Sequence, residues 1–286
     1  MRGFLRSIAF FLTVVTLFLT CSCGGDGAAI PSPQDGEVHI TFLNVGQADC
    51  ALIRTSETVI VVDTGDVATN GAELSAYLRR AGIDRIDLLV LTHPHKDHIG
   101  GAPTLLREFD VAECLMTDLL EDSTVFRETV AALKQEGCKV TRANDEVLYE
   151  YGGLSLEVLS PFREFYATVN DAGAVLLLRY AGSACLFTAD VSDALEKELM
   201  ERYPDALDVD LLKVSHHGSS DATSTAFLSV LTPKFAVISC GAGNAYGFPH
   251  MEVLSRLSSA GVEVHRTDTE GNISFRMKNG DLSILK

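Results

Sequence analysis

The sequence predicts an α+β protein with sheets inside and helices outside; its sharper form, a four-layer αββα sandwich, depends on the motifs and the resemblance given below. Three observations carry the fold class. Short apolar runs rich in β-branched residues alternate with helical patterns from Val38 onward, and no repeat or low-complexity linker interrupts them. Apolar runs at three places end in histidine or aspartate, which is how a sheet delivers chemistry to its loops. The chain has 286 residues, 47% hydrophobic and 22% charged, enough for one large core.

The first segment, "MRGFLRSIAFFLTVVTLFLTCSC", sets Arg2 and Arg6 before an uncharged apolar run over residues 7–20. That is the order of a secretory signal, and the run is short for a helix that must cross ~30 Å of hydrocarbon. Cys21 and Cys23 stand where a bacterial lipoprotein signal places its lipid acceptor. Cys23, after Ser22 and before two glycines, is the preferred one. The expected organisation is a signal over 1–22, a flexible tether over 23–37 and one domain over 38–286. The chain is thus expected outside the cytoplasm on a lipid-anchored membrane attachment, with simple secretion as the alternative.

Within the domain, runs at 38–43, 50–54 and 58–62 read as an antiparallel meander. A helical pattern over 71–80 stops at Gly82, and the strand 88–91 follows. The second half repeats the style, with strands at 155–159, 174–179, 184–188, 209–214 and 235–239. Helices are expected at 192–202, 222–231 and 251–260, and closing strands at 262–265, 272–277 and 282–285.

Cys50, Cys114, Cys138, Cys185 and Cys240 are isolated and read as small core residues, and no Cys-x-x-Cys pair suggests a zinc ribbon. Any metal must therefore be held by histidine and carboxylate. A formal charge of −16 with no basic block argues against non-specific nucleic-acid binding, which depends on lysine and arginine. It leaves room for a nucleic-acid substrate, since bound divalent cations supply positive charge locally.

Six of the eight histidines fall in three places. "THPHKDHIGG" packs His93, His95, Asp97 and His98 into six positions, a donor set suited to a borderline metal, and Gly100 and Gly101 let the following helix start close by. "CLFTADVSD" places Asp190 between a strand and a helix, where an N-cap role competes with that of a bridging oxygen ligand. "DLLKVSHHGSSD" offers His216 and His217, one to complete a metal sphere and the other to face substrate or a supporting carboxylate. His250 is the sixth. His39 and His265 sit in strand patterns and read as structural.

These residues resemble the metallo-β-lactamase superfamily. "HPHKDHIGG" matches its His-x-His-x-Asp-His signature, and Asp63-Thr64-Gly65 and the "FTAD" ending at Asp190 follow in the expected order. More narrowly, "FLNVGQADCALI", "LLKVSHHGSSD", "NAYGFPHMEVLSRL" and "RTDTEGNISF" look like the extracytoplasmic hydrolase domain of the ComEC/Rec2 competence proteins. The resemblance implies that His93 and His95 serve one metal and Asp97 and His98 the other. It makes Asp190 the bridge and His216 the remaining ligand, with His217 as the fallback. Asp63 would support the metal loop, and His250 would lie near the mouth.

The sequence also departs from the family. No histidine occurs from Ile99 through Val214, where many members carry a further ligand. Asn170 matches the competence proteins, whereas Gly173 replaces a usual serine, Asn44 an aspartate and Phe248 a histidine. The implied activity is hydrolysis of a phosphodiester, DNA among the candidates, by water activated between two divalent ions, Zn2+ first and Mn2+ second. Asp97, His217 and His250 are the expected catalytic side chains. A cell-envelope phosphodiesterase such as a phosphorylcholine esterase, and a non-enzymatic binding protein on a degenerate scaffold, are the competing readings.

Overall fold

The computed structural model describes residues 30–68 and 70–285. The expected signal over 1–22, with Cys21 and Cys23, lies outside them, as does the tether up to residue 29. Among the described residues no helix is long and apolar enough to cross a membrane.

Two large sheets form the centre. The first has the order Asp281–Leu285, Ile273–Lys278, Val38–Phe42, Ala51–Arg54, Val59–Val62, Leu88–Leu91, Glu113–Met116, Lys139–Arg142. The second runs Glu263–Arg266, Phe235–Ile238, Leu211–Lys213, Ser183–Phe187, Val175–Tyr180, Leu154–Ser160, Leu148–Tyr151. The expected meander is present, with Ile40 opposite Ile53 and Ile53 opposite Ile60. Of the three closing strands, the last two return to the first sheet, where Phe275 sits opposite Ile40.

Strand periodicity creates the layers, because successive side chains point to opposite faces. Ile60, Val62, Leu88 and Val90 meet Leu176, Leu178, Phe187 and Val237 between the sheets. Their neighbours Val61, Leu89 and Leu91 face outward onto Leu74 and Leu78 of the helix Asn70–Arg80 and Leu105 of the helix Ala102–Glu108. On the other side Val175, Leu177 and Leu186 pack against Leu195, Phe227 and Leu257, from the helices Asp193–Arg202, Thr225–Leu231 and Met251–Ser259. This is the αββα arrangement. The five described cysteines are free; Cys138 is half-buried and the other four are buried.

Beyond a helix expected to follow Gly101, residues 102–153 carried no expected element, yet they hold two helices and four strands. The helix Thr124–Glu136 has ordinary start and stop signals: the Ser123 hydroxyl accepts from Phe126 N–H, and Gly137 ends it at φ 75°. The strands Lys139–Arg142 and Leu148–Tyr151 were hidden because each is a polar edge strand with little buried surface.

Strand direction sets where the loops go. Val59–Val62, Leu88–Leu91 and Glu113–Met116 run parallel, as do Ser183–Phe187, Leu211–Lys213 and Phe235–Ile238. The segments carrying Asp63, His93, Asp190, His216 and Phe248 therefore leave their sheets at one end of the sandwich. Truncating Leu176, fully buried between the sheets, to alanine is expected to cost about 2–5 kcal/mol in urea unfolding. Leu148→Ala on the exposed edge should stay within about 0.5 kcal/mol. Equal costs would contradict the layer assignment.

Candidate metal centre

Asp63 turns out of its strand at φ 58°, a left-handed conformation that swings its carboxylate back toward the neighbouring strand end. There it accepts from Thr92 N–H and Thr92 Oγ1, both at 2.8 Å, and from His98 Nδ1 at 2.8 Å. The helix Lys96–Ile99 brings His98 into this position. Gly100 and Gly101 make the approach possible, since a Cβ on either would come within 2.2 Å of Asp66 C or 2.4 Å of Thr64 O. With Nδ1 committed to Asp63, His98 presents Nε2 to the site, the usual arrangement of a metal-binding imidazole.

Asp190 is the meeting point. Its Oδ2 lies 3.2 Å from His98 Nε2, 3.6 Å from His217 Nε2, 3.9 Å from His93 Nε2 and 4.0 Å from His216 Nε2. Asp97 Oδ2 is 3.4 Å from His217 Nε2, and His95 Nδ1 is 3.1 Å from His93 Nε2. The structure thus brings His93, His95, Asp97, His98, Asp190 and the His216-His217 pair to one place. Within it, ligand atoms of Asp49, His98, Asp190 and His217 all lie within 4.8 Å of one another, and all four residues are buried.

The geometry distinguishes the two members of the histidine pair, both of which bring Nε2 near Asp190. His217 is buried, its Nδ1 donates to Ser239 O at 2.9 Å, and its Nε2 points at Asp97 and Asp190. The ligand place first expected of His216 therefore fits His217. His216 is the more exposed of the two, and its Nδ1 lies 3.3 Å from Asp221 Oδ1. Both residues have left-handed backbone, near φ 49° and 53°, which makes adjacent side chains diverge. His250 lies at the rim, as the resemblance implied: it sits across Phe248, ring centroids 5.0 Å apart, with Nδ1 accepting from Ser220 N–H and Nε2 3.3 Å from Tyr246 O. It braces the rim, and both its ring nitrogens are used in doing so.

Two residues given no role from sequence stand beneath the cluster. Lys213, buried at the end of its strand, donates to Asp49 and, at 3.3 Å, to Ala189 O. It ties the first sheet, the second sheet and the turn carrying Asp190 into one joint. Burial opposes charge on both partners, but mutual attraction prevails, holding the Asp49 carboxyl below its usual range and raising Lys213. Breaking a buried pair of this kind from one side typically costs about 3–5 kcal/mol. Gln47 adds a second tie, its Oε1 accepting from Gly241 N–H at 3.0 Å. The replacement of serine by Gly173 also has a reason, because a Cβ there would stand 2.9 Å from Asn170 O and 3.8 Å from His93 Cβ.

The electrostatics fit a bound cation. Burial works against a charged His98, yet Asp190 and Asp63 outweigh it and raise its pKa well above the ordinary value. Burial likewise opposes charge on His217, and Asp190 and Asp49 raise it to about 10. His93, where burial dominates, is pushed the other way. Asp49 Oδ1, Asp190 Oδ1 and His217 Nε2 are buried without a hydrogen-bond partner, a costly state for polar atoms unless a ligand completes them. Buried carboxylates that draw protons onto imidazoles, with donor atoms left over, suit divalent metal ions.

Fold and site together define a metal-dependent hydrolase. The family model of the Metallo-beta-lactamase superfamily matches residues 43–242, and the chain belongs to that superfamily. It is similar to ComE operon protein 3 of Bacillus subtilis (strain 168), 30% identical over 263 residues, covering 86% of this chain and 34% of that protein. Competence protein ComA of Neisseria gonorrhoeae is 29% identical over 246 residues, covering 86% of this chain and 33% of its own length. The chain therefore spans about a third of these relatives. The metallo-beta-lactamase fold protein YhfI from Bacillus subtilis shares the fold, with a TM-score of 0.54 at 12% identity over 87% of this chain and 100% of that one.

Equilibrium dialysis against Zn2+ or Mn2+ distinguishes the paired histidines. His217→Ala should lower metal affinity at least tenfold, while His216→Ala stays near the parent value. The reverse order would restore His216 as the ligand.

Proposed function

We propose that the chain is an extracytoplasmic phosphodiesterase that works with two divalent ions, Zn2+ or Mn2+, and that nucleic acid is its substrate class. The observation that carries the reading is Asp190, a buried carboxylate with one oxygen among four imidazole nitrogens and the other unpaired. His93 and His95 would hold one ion, Asp97, His98 and His217 the second, with Asp190 between them. Such ions, when bound, supply the Lewis acidity that activates water and offsets charge on phosphoryl oxygens.

The remaining steps belong to the chain's own side chains. Asp63 and Ser239 O fix the Nδ1 atoms of His98 and His217, so both rings stay aimed while substrate arrives. His216, at the mouth with Asp221 behind its Nδ1, is the residue placed to pass a proton to the departing oxygen. The names of the competence relatives support DNA as a first substrate to try. The location outside the cytoplasm, and attachment to a membrane through a lipid on Cys23 or Cys21, rest on the order of charged, apolar and cysteine residues at the start of the sequence.

Purified chain supplied with Zn2+ or Mn2+ should hydrolyse bis(p-nitrophenyl) phosphate, lose that activity on chelation and regain it on metal addition. His95→Ala should lower turnover at least a hundredfold. Metal-independent turnover, or none with any divalent ion, would refute the reading and favour the binding-protein alternative.

A further inference from the structure

The loop after Phe235–Ile238 carries a feature that the metal chemistry does not use. Phe248 lies with its ring stacked on His217, centroids 6.5 Å apart and planes 24° apart. Tyr246 stacks on Phe248 at 5.3 Å and 17°. A series of nearly parallel rings therefore leads from a buried imidazole beside Asp190 to a tyrosine that is 65% exposed.

The loop holds these rings in place in advance. Asn244 Oδ1 accepts from the N–H groups of Tyr246 and Phe248 at 3.1 and 3.0 Å, and its Nδ2 donates to Gly241 O and Phe248 O. His250 N–H donates to Gly218 O at 2.9 Å, and a Cβ on Gly218 would stand 2.5 Å from Pro249 Cβ. Phe248 offers neither a proton nor a metal donor where the competence proteins have histidine, so what it contributes is a surface. Keeping a large ring in water forgoes the stabilisation of burying it, and a braced, exposed aromatic is what a ligand-stacking site requires.

We infer that Tyr246, backed by Phe248, forms a stacking platform that receives a planar ring of the substrate, a nucleobase next to the phosphodiester under attack. The inference rests on the phosphodiesterase reading and makes this pair the specificity-determining residues of the site. The ring orientation selects the ligand. An aromatic cage for a quaternary ammonium sets several faces around the cation, whereas parallel rings present one flat face to another flat ring. Stacking also works without a basic surface, which matches a chain of formal charge −16.

The test uses the full chain with Mn2+ and two substrates that share a phosphodiester: thymidine dinucleotide, and its analogue with both bases replaced by abasic tetrahydrofuran. The parent should favour the dinucleotide in kcat/KM. Tyr246→Ala should reduce that preference roughly five- to hundredfold, mainly through KM, with the abasic substrate unchanged within about twofold and Tyr246→Phe close to the parent. Tyr246 is exposed, so its removal leaves the core intact. Turnover of bis(p-nitrophenyl) phosphate without any preference for bases, or equal losses on both substrates, would overturn the platform while leaving the phosphodiesterase reading intact. A preference for p-nitrophenyl phosphorylcholine that Tyr246→Ala abolishes would overturn it in favour of a cation. If the parent cleaves no phosphodiester, that reading fails. The platform is then tested by equilibrium dialysis of thymidine 5′-monophosphate, where equal binding by parent and Tyr246→Ala overturns it and weaker binding by the variant upholds it.

Discussion

The organisation of this protein depends on one crowded carboxylate. Asp190 leaves the second sheet through Ala189, itself in a left-handed turn at φ 46°, and its Oδ2 lies within 4.0 Å of imidazoles carried by loops of both sheets. Four ring nitrogens do not gather on one acid oxygen by packing preference alone. Desolvating such a set is expensive, and it is retained where charge compensation from a ligand completes it. The fold supplies the means: parallel strands in each sheet empty their loops at the same end, so residues distant in sequence arrive side by side.

Compensation is layered. Asp63 and Ser239 O hold the outer nitrogens of His98 and His217, Lys213 neutralises Asp49 below, and Gln47 links the first meander to the loop at Gly241. These contacts explain why the "NVGQAD" stretch is part of the site although it supplies no histidine. Its side chains join the two sheets under the centre, and the site is only as rigid as that joint.

Much of this was legible in the sequence for a physical reason. Strands buried on both faces read as continuous apolar runs, and the donor residues stood directly at their ends, as at His93, Asp190 and the "SHHG" segment. The polar edge strands Lys139–Arg142 and Leu148–Tyr151 had no such signal. The helix Thr124–Glu136 did have one, since Ser123 and Gly137 bracket an amphipathic run. The order within the histidine pair was not readable, because consecutive residues at positive φ have no sequence signature beyond the glycine that follows. Lys213 and Asp49 were hidden for a different reason: an ion pair across 164 positions exists only once the sheets face each other.

The account is tested most directly by counting bound ions on the parent chain and on Asp190→Ala, by elemental analysis after equilibration with Zn2+ and removal of excess metal. It predicts two ions on the parent and loss of at least one on the variant, with the fold retained by circular dichroism. Equal metal content in the two proteins would contradict the central place given to Asp190.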